Sequence, residues 1–206
     1  QIRDEKRVKH QQYLSKVLHS DFKVFGQVLE SVPTNCQLQI SNSSIIRYAQ
    51  LFSVKERITV FCNRGTSGID GSTSTAVGAA FANGNQTIFI TGDVSFFYDS
   101  NGLWNKNIPA NFRIILINNS GGGIFKILPG PKLTNALQYF ETPHCLTAEH
   151  LCKMYEFDYQ KAFSSESVTN ELKDFYKTSE RPKILEIFTP SAENDLILTA
   201  YFKYIQ

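Results

Sequence analysis

Unbroken apolar runs constrain the fold of this chain more than any other feature of its sequence. They occupy residues 88–90, 114–117 and 184–185, and they consist almost entirely of isoleucine, leucine and phenylalanine. A strand with one solvated face alternates apolar and polar residues, whereas a parallel strand covered on both faces is apolar throughout. These runs therefore predict parallel strands that lie between two layers of helices.

Helical and strand patterns alternate along the chain, which is typical of a doubly wound α/β fold with a mainly parallel sheet flanked by helices. The predicted strands span residues 36–40, 57–62, 86–92, 112–119, 157–163 and 183–190. The predicted helices span 6–20, 21–31, 41–52, 71–82, 95–106, 123–127, 147–155, 167–178 and 194–204, with a loop at 128–131. We expect one domain at 35–206, preceded by a linker and helical segment at 1–34.

The composition excludes several classes of protein. A net charge of +2 gives no reason to expect a nucleic-acid partner, and no apolar run is long enough to predict membrane insertion. The cysteines form no C-x-x-C pair, so we expect buried free thiols in a reducing compartment, the cytoplasm. These cysteines are Cys36, Cys62, Cys145 and Cys152. The charged start without a methionine predicts that the sequence belongs to a longer chain.

Polar residues follow the predicted strands where each strand ends, at 41–43, 63–65, 92–93 and 118–121. Because ligands of open α/β sheets bind beyond the carboxyl ends of the strands, we expect these residues to form one crevice. Asp93 offers a carboxylate oxygen, Asn119 an amide oxygen and Gly121 a backbone carbonyl, a set that suits Mg²⁺. Helix N-termini after residues 93 and 122 would favour phosphate. The spacing thus predicts a magnesium–diphosphate site.

The same residues resemble the signature of the thiamine-diphosphate-dependent enzymes. Gly92-Asp93 opens the signature and Asn118-Asn119 closes it, with Asp93 and Asn119 separated by 26 positions. Val94 departs from the glycine that many members of the family have there. Longer stretches narrow the resemblance to the branch of the family that acts in menaquinone biosynthesis, over nearly all of the chain from Gln39 onward. They read SNSSIIR, CNRGTSGIDGSTSTA, GDVSFFYD and NNSGGGIFKILP.

The resemblance implies thiamine diphosphate and Mg²⁺ (or Mn²⁺) as cofactors. It also implies that this chain is the carboxy-terminal diphosphate-binding domain, without the pyrimidine-binding and middle domains. The activating glutamate would lie on the missing amino-terminal domain, so we expect no catalytic residue here and an inactive fragment. In this branch 2-oxoglutarate is decarboxylated and its succinyl unit is added to isochorismate, in a homodimer or homotetramer whose cofactor spans two subunits.

The resemblance also assigns roles to individual residues. The metal ligands would be Asp93, Asn119 and the carbonyl of Gly121. The cofactor would contact Asn42, Gly68, Ile69, Gly92, Asp93, Val94, Ser95, Asn119, Gly121 and Gly122. The substrates would contact Ser43, Arg47, Arg64, Ile124, Phe125 and Leu128. Within these sets, Ile69 would support the thiazolium ring, and both arginines would face substrate carboxylates. Ser95 would donate to a phosphate or serve as a plain helix cap.

Other interpretations stay open from the sequence. The metal signature also fits an acetohydroxyacid synthase or a 2-oxoacid decarboxylase, although the run at 63–71 and Arg47 favour the menaquinone branch. A non-catalytic assembly module is a second alternative. A nucleotide-binding Rossmann domain is disfavoured, because no G-x-G-x-x-G turn follows the first strand. We expect ordinary surface or structural roles for His144 and His150.

Overall fold

A six-stranded, fully parallel sheet forms the centre of the computed structural model, which describes residues 2–128, 130 and 133–206. The strands are β1 (Gln37–Ile40), β2 (Thr59–Cys62), β3 (Thr87–Gly92), β4 (Arg113–Asn118), β5 (Asp158–Ala162) and β6 (Lys183–Phe188). Their order across the sheet is β2-β1-β3-β4-β6-β5. The predicted α/β fold with a mainly parallel sheet is confirmed.

Helices cover both faces of the sheet. They are α1 (Ile2–Lys16), α2 (Asp21–Ser31), α3 (Ser44–Ala49), α4 (Ser72–Ala82), α5 (Asp93–Tyr98), α6 (Ile124–Ile127), α7 (Leu137–Glu141), α8 (Glu149–Met154), α9 (Ser165–Phe175) and α10 (Asn194–Ile205). A short 3₁₀ helix at Ser100–Leu103 follows α5. None of the helices in the described ranges is both long and apolar enough to cross a membrane.

The apolar runs belong to two cores, one on each face of the sheet. On β3, Ile88 and Ile90 join the core that includes α2, α3, α9 and α10, whereas Phe89 joins the core beneath α4 and α5. Successive side chains of a strand point to opposite faces, so a strand between two helical layers needs apolar residues at every position. This is the physical reason that the runs are continuous.

The segment before residue 35 packs into the same core as the sheet. Phe22, Val24 and Phe25 of α2 are completely buried against β-strand and helix residues. Helix α1 lies on α10, where Tyr13 donates a hydrogen bond to the carbonyl of Ile197 at 2.7 Å. The amino-terminal helices are thus part of the same core as the first strand.

The structure departs from the predicted elements in three places. The helix predicted at 95–106 is instead α5 at Asp93–Tyr98 followed by the 3₁₀ helix Ser100–Leu103, in which Gly102 lies so close to α4 that an added Cβ would be 2.7 Å from the Ser74 hydroxyl. The helix predicted at 41–52 covers only Ser44–Ala49, and α7 was not predicted. Two positions of the predicted loop 128–131, 129 and 131, lie outside the described residues.

The prediction of buried thiols is correct for only part of the set. Cys36 and Cys152 are buried, whereas Cys62 is half-buried and Cys145 is exposed. Cys145 lies in the segment between α7 and α8 and belongs to neither of the two cores. All four cysteines are free thiols.

The chain reverses direction across the sheet beside β1. After β1 it crosses to the edge strand β2, and it then returns to pair β3 with the other side of β1. Such a reversal opens a crevice beyond the carboxyl ends of the two central strands, where open α/β sheets bind their ligands. The crevice here lies beyond β1 and β3.

Candidate functional site

A cavity of about 50 Å³ occupies this crevice. Loops that follow four of the strands meet there, together with the first turns of α3 and α5. Its wall consists of Asn42, Ser43, Ser44, Ile45, Ile69, Gly92, Asp93, Val94, Ser95, Asn119, Gly121, Gly122 and Phe125. The volume suits a few water molecules or a hydrated ion, since one water needs roughly 10–15 Å³ measured in this way.

Asp93 is the charged residue of the wall, and it is only 3% exposed. Its Oδ1 accepts a hydrogen bond from the backbone N–H of Val94 at 2.7 Å, and its Oδ2 accepts one from the backbone N–H of Gly121 at 3.0 Å. A carboxylate has about four acceptor positions, so both oxygens keep capacity for a further partner. The contact with Gly121 joins the ends of β3 and β4.

Asn119 presents its side chain beside Asp93. Its Nδ2 donates a hydrogen bond to Oδ2 of Asp21 at 2.9 Å. Within the described part of the chain, no hydrogen bond is made by its Oδ1. An amide whose nitrogen is bound in this way offers its oxygen on the opposite side, as a ligand or acceptor.

Asp21 is a buried carboxylate that the sequence did not associate with the site. It is 2% exposed, and its Oδ1 accepts a hydrogen bond from the Thr189 hydroxyl at 2.6 Å. Burial raises the pKa of Asp21 to about 6; hydrogen bonds from Thr189 and Asn119 oppose this shift, and the nearby charge of Asp93 adds to it. The carboxyl pair therefore makes this part of the cavity electronegative, which favours a cation.

Gly121 and Gly122 form a tight turn. Its first position, Gly121, can be occupied only by glycine. Gly121 has a φ of +151°, and an added Cβ would be 2.6 Å from the backbone oxygen of Glu141. The Gly122 N–H donates to that same oxygen at 2.6 Å. The Gly121 carbonyl accepts from Gly123 N–H at 3.0 Å and has a second lone pair free for a ligand.

His144 lies beside Asp93 and was not predicted to belong to the site. Its Nε2 is 3.4 Å from Oδ2 of Asp93, and its ring lies edge-on to Phe97. We expected a surface or structural role for His144; its backbone N–H donates to the Ser120 carbonyl, which places its side chain beside Asp93 but not in the cavity wall. His150, in contrast, is exposed on α8.

Asn42 and Ser95 fix the loop that carries Ile69. The Asn42 Nδ2 donates to the carbonyls of Asn63 and Gly68, with 2.7 Å to Gly68, and the Ser95 hydroxyl donates to the Ile69 carbonyl at 2.7 Å. The loop after β2 is thus bound to the residues that follow β1 and to the first turn of α5. This network directs the half-buried side chain of Ile69 into the cavity wall.

Five of the residues assigned by resemblance lie outside the cavity wall. Arg47 and Arg64 are exposed, and they donate to the Ser43 carbonyl and to the Asn42 Oδ1 at 2.8 and 3.4 Å. The other three are Ile124, which is buried, Gly68, whose carbonyl accepts a hydrogen bond from Asn42, and Leu128, which follows α6.

Three of the seven described non-glycine residues with positive φ lie in the cavity wall or beside one of its residues. Ser43 has a φ of +70°, Ser120 of +66° and Thr142 of +49°. Such conformations cost on the order of 1–3 kcal/mol each and are concentrated at functional sites.

The donor set fits a hard divalent cation. Asp93 supplies an anionic oxygen, Asn119 an unpaired amide oxygen and Gly121 a carbonyl, and all three residues belong to the cavity wall. Mg²⁺ prefers such oxygen ligands. Among the described residues there is no cluster of three or more histidine, cysteine, aspartate or glutamate side chains that could hold a metal. An amide and a backbone carbonyl would therefore have to complete the coordination.

Comparison with known proteins gives close relatives over almost the whole chain. No protein-family model matches the chain. It is 62% identical to the 2-succinyl-5-enolpyruvyl-6-hydroxy-3-cyclohexene-1-carboxylate synthase of Flavobacterium johnsoniae, over 98% of its length. Proteins of the same name from Flavobacterium psychrophilum and Christiangramia forsetii are 57% and 50% identical over 98% and 100% of the chain. The chain spans 36–37% of the length of these relatives.

Proposed function

Because the chain belongs to the family of the 2-succinyl-5-enolpyruvyl-6-hydroxy-3-cyclohexene-1-carboxylate synthases, we propose that it forms the diphosphate- and metal-binding part of such an enzyme. The cofactor is thiamine diphosphate, held through Mg²⁺ or Mn²⁺ in the cavity beyond β1 and β3. The chain is the carboxy-terminal domain, and the pyrimidine-binding and middle domains lie elsewhere in the parent protein. Homologues with this name at 50–62% identity favour this branch over the acetohydroxyacid synthases and decarboxylases.

One observation carries the proposal. Asp93, Asn119 and the Gly121 turn come from two neighbouring strands and converge on one cavity, where Asp93 and Gly121 are joined by a hydrogen bond of 3.0 Å. Their oxygens are of the kinds that Mg²⁺ takes together with phosphate oxygens. Asp93, Asn119 and Gly121 are therefore the proposed metal ligands.

Thiamine diphosphate, when bound, supplies an electron sink for decarboxylation of a 2-oxo acid. The chain's own residues bind and orient it. Ile69 forms an apolar support whose position is set by Ser95, and Asn42 holds the adjacent Gly68. We assign Gly92, Val94 and Gly122 to the same cofactor surface, since they line the cavity beside the metal ligands.

The substrates are proposed to be 2-oxoglutarate and isochorismate, which both carry two carboxylates. Arg47 and Arg64 have exposed guanidinium groups that are attached to residues of the cavity wall, Ser43 and Asn42. Guanidinium groups pair with carboxylates through two parallel hydrogen bonds. Both arginines are therefore suited to orient substrate at the mouth of the cavity. Ser43, Ile124, Phe125 and Leu128 complete the proposed substrate surface.

The parent enzyme is proposed to be a cytoplasmic homodimer or homotetramer. Free thiols at all four cysteines support a reducing compartment. The pyrimidine-binding domain is proposed to complete the cofactor site, since this chain spans only 36–37% of the length of its relatives. We accordingly expect negligible synthase activity from these 206 residues alone.

Calorimetric titration with thiamine diphosphate tests the proposal. The full-length protein is titrated in Mg²⁺ and in EDTA, and the experiment is repeated with Asp93→Asn. The control variant is Asp99→Asn, which alters another buried carboxylate, one that binds Ser74 at the start of α4. We expect binding that requires Mg²⁺, is lost in Asp93→Asn and persists in Asp99→Asn. Equal binding in EDTA, or by Asp93→Asn, contradicts the proposal.

A further inference from the structure

We propose that Asp21 is a positioning residue that fixes the orientation of the Asn119 amide and so presents the Asn119 Oδ1 to the metal. This inference rests on the proposed function, because it concerns the same metal site. It adds a role for a residue that lies 98 positions away from Asn119 in the sequence. Asp21 itself does not line the cavity.

The Asp21 carboxylate is held from several sides. Thr189 donates to its Oδ1 at 2.6 Å, and Asn119 donates to its Oδ2 at 2.9 Å. Its backbone N–H donates to Oδ1 of Asn194 at 2.9 Å, and the side chain of Ser20 caps the helix that Asp21 begins. These contacts fix the position of the Asp21 carboxylate. The carboxylate can therefore fix the orientation of the Asn119 amide that it contacts.

The chemistry of the pair determines which end of the amide faces the metal. The nitrogen and oxygen of an asparagine amide are nearly equal in size, so packing alone does not distinguish the two orientations. An ionised carboxylate accepts hydrogen bonds and donates none, so it binds the NH₂ group and excludes the carbonyl oxygen. The Asn119 oxygen must then point away from Asp21. Without Asp21, the amide can rotate and turn its NH₂ group, a poor neighbour for a cation, towards the site.

A purely structural role for Asp21 makes a different prediction. Asp21 begins α2, and its loss would weaken that helix whatever residue stood at position 119. The positioning role depends on position 119 being an amide. A carboxylate there has two equivalent oxygens, and its orientation needs no partner. The Asn119→Asp background therefore separates the two roles.

Manganese binding provides the readout, and it does not depend on catalytic activity. Free Mn²⁺ is measured by electron paramagnetic resonance in the full-length protein with thiamine diphosphate present. Asp21→Ala is compared with the wild type, and both are repeated in the Asn119→Asp background. Thr189→Val is the matched control: it removes the other hydrogen bond to Asp21 but leaves the contact with Asn119. Asp21→Asn replaces Asp21→Ala if the alanine variant does not fold.

Partners of metal ligands typically change metal affinity about 10- to 100-fold when they are replaced. We expect a loss of this size for Asp21→Ala with Asn119 present, no loss with Asn119→Asp, and little change for Thr189→Val. We expect Asp21→Asn to weaken Mn²⁺ binding less than Asp21→Ala does, because its amide keeps one acceptor oxygen for the two donors, Thr189 and Asn119. Equal Mn²⁺ affinity in Asp21→Ala and the wild type, or an equal loss in both backgrounds, overturns the inference alone. A wild type that binds no Mn²⁺ overturns the proposed function and the inference with it.

Discussion

Replacement of Gly121 by alanine tests the shape of the turn on which the proposed metal site depends. The backbone at Gly121 has a φ of +151°, a region that side chains strongly disfavour. The resulting strain is on the order of 1–3 kcal/mol. The new Cβ would also lie 2.6 Å from the Glu141 carbonyl, which accepts the Gly122 N–H, so that hydrogen bond must move. Losing it costs about 1 kcal/mol more.

We therefore expect Gly121→Ala to lower the free energy of unfolding by roughly 2–4 kcal/mol. Urea denaturation followed by circular dichroism measures this change. Gly71→Ala is the matched control, since Gly71 has a φ of +69° but no atom within 4 Å of an added Cβ. It should cost about 1–2 kcal/mol through backbone strain alone. If Gly121→Ala is no less stable than Gly71→Ala, the close approach of Glu141 is not what requires glycine, and the reasoning fails.

Three further predictions concern Asp21, Glu186 and His144. The folded state binds a proton on Asp21 more tightly than the unfolded state, because burial raises its pKa from 3.8 to about 6. The stability that protonated Asp21 contributes is thus lost as the pH rises from about 4 to above 6. Between pH 4 and pH 7.5, urea denaturation should show the free energy of unfolding of the wild type falling by roughly 2–3 kcal/mol relative to that of Asp21→Asn. The same difference at both pH values would contradict the raised pKa. Glu186→Ala should destabilise the protein by about 3 kcal/mol in the same assay, because it leaves the buried Ala148 N–H without an acceptor and removes one acceptor each from Asn118 Nδ2, which keeps the Leu146 carbonyl, and from the Tyr159 hydroxyl; a loss below about 1 kcal/mol contradicts this. His144→Ala should tighten Mn²⁺ binding in the resonance assay, since its imidazole lies 3.4 Å from the Asp93 carboxylate and competes with a cation; weaker binding would show that His144 supports the site instead.

The fold was predictable because its main determinant is local in the sequence. Runs such as 114–117 carry the information that both faces of the strand are covered, and a parallel sheet follows from that. The edge of the sheet where polar residues collect was predictable for the same reason. Asp93 and Asn119 lie at the ends of adjacent strands, whose parallel pairing runs from Ile88 opposite Arg113 to Gly92 opposite Ile117.

The contributions of Asp21 and His144 were not predictable, because each depends on how distant segments pack. Asp21 reaches Asn119 only because Phe22 and Phe25 bury α2 against the sheet. His144 reaches Asp93 because its backbone is bound to Ser120. Neither contact has a short sequence signature.

The most direct test of the account is to locate the metal. Crystals of the full-length protein with thiamine diphosphate and Mn²⁺ would show the ion by its anomalous scattering. We predict that the ion contacts the Asp93 carboxylate, the Asn119 Oδ1 and the Gly121 carbonyl, and that it bridges them to the diphosphate. Manganese and diphosphate bound at a site that does not include Asp93 and Asn119 would contradict the central claim.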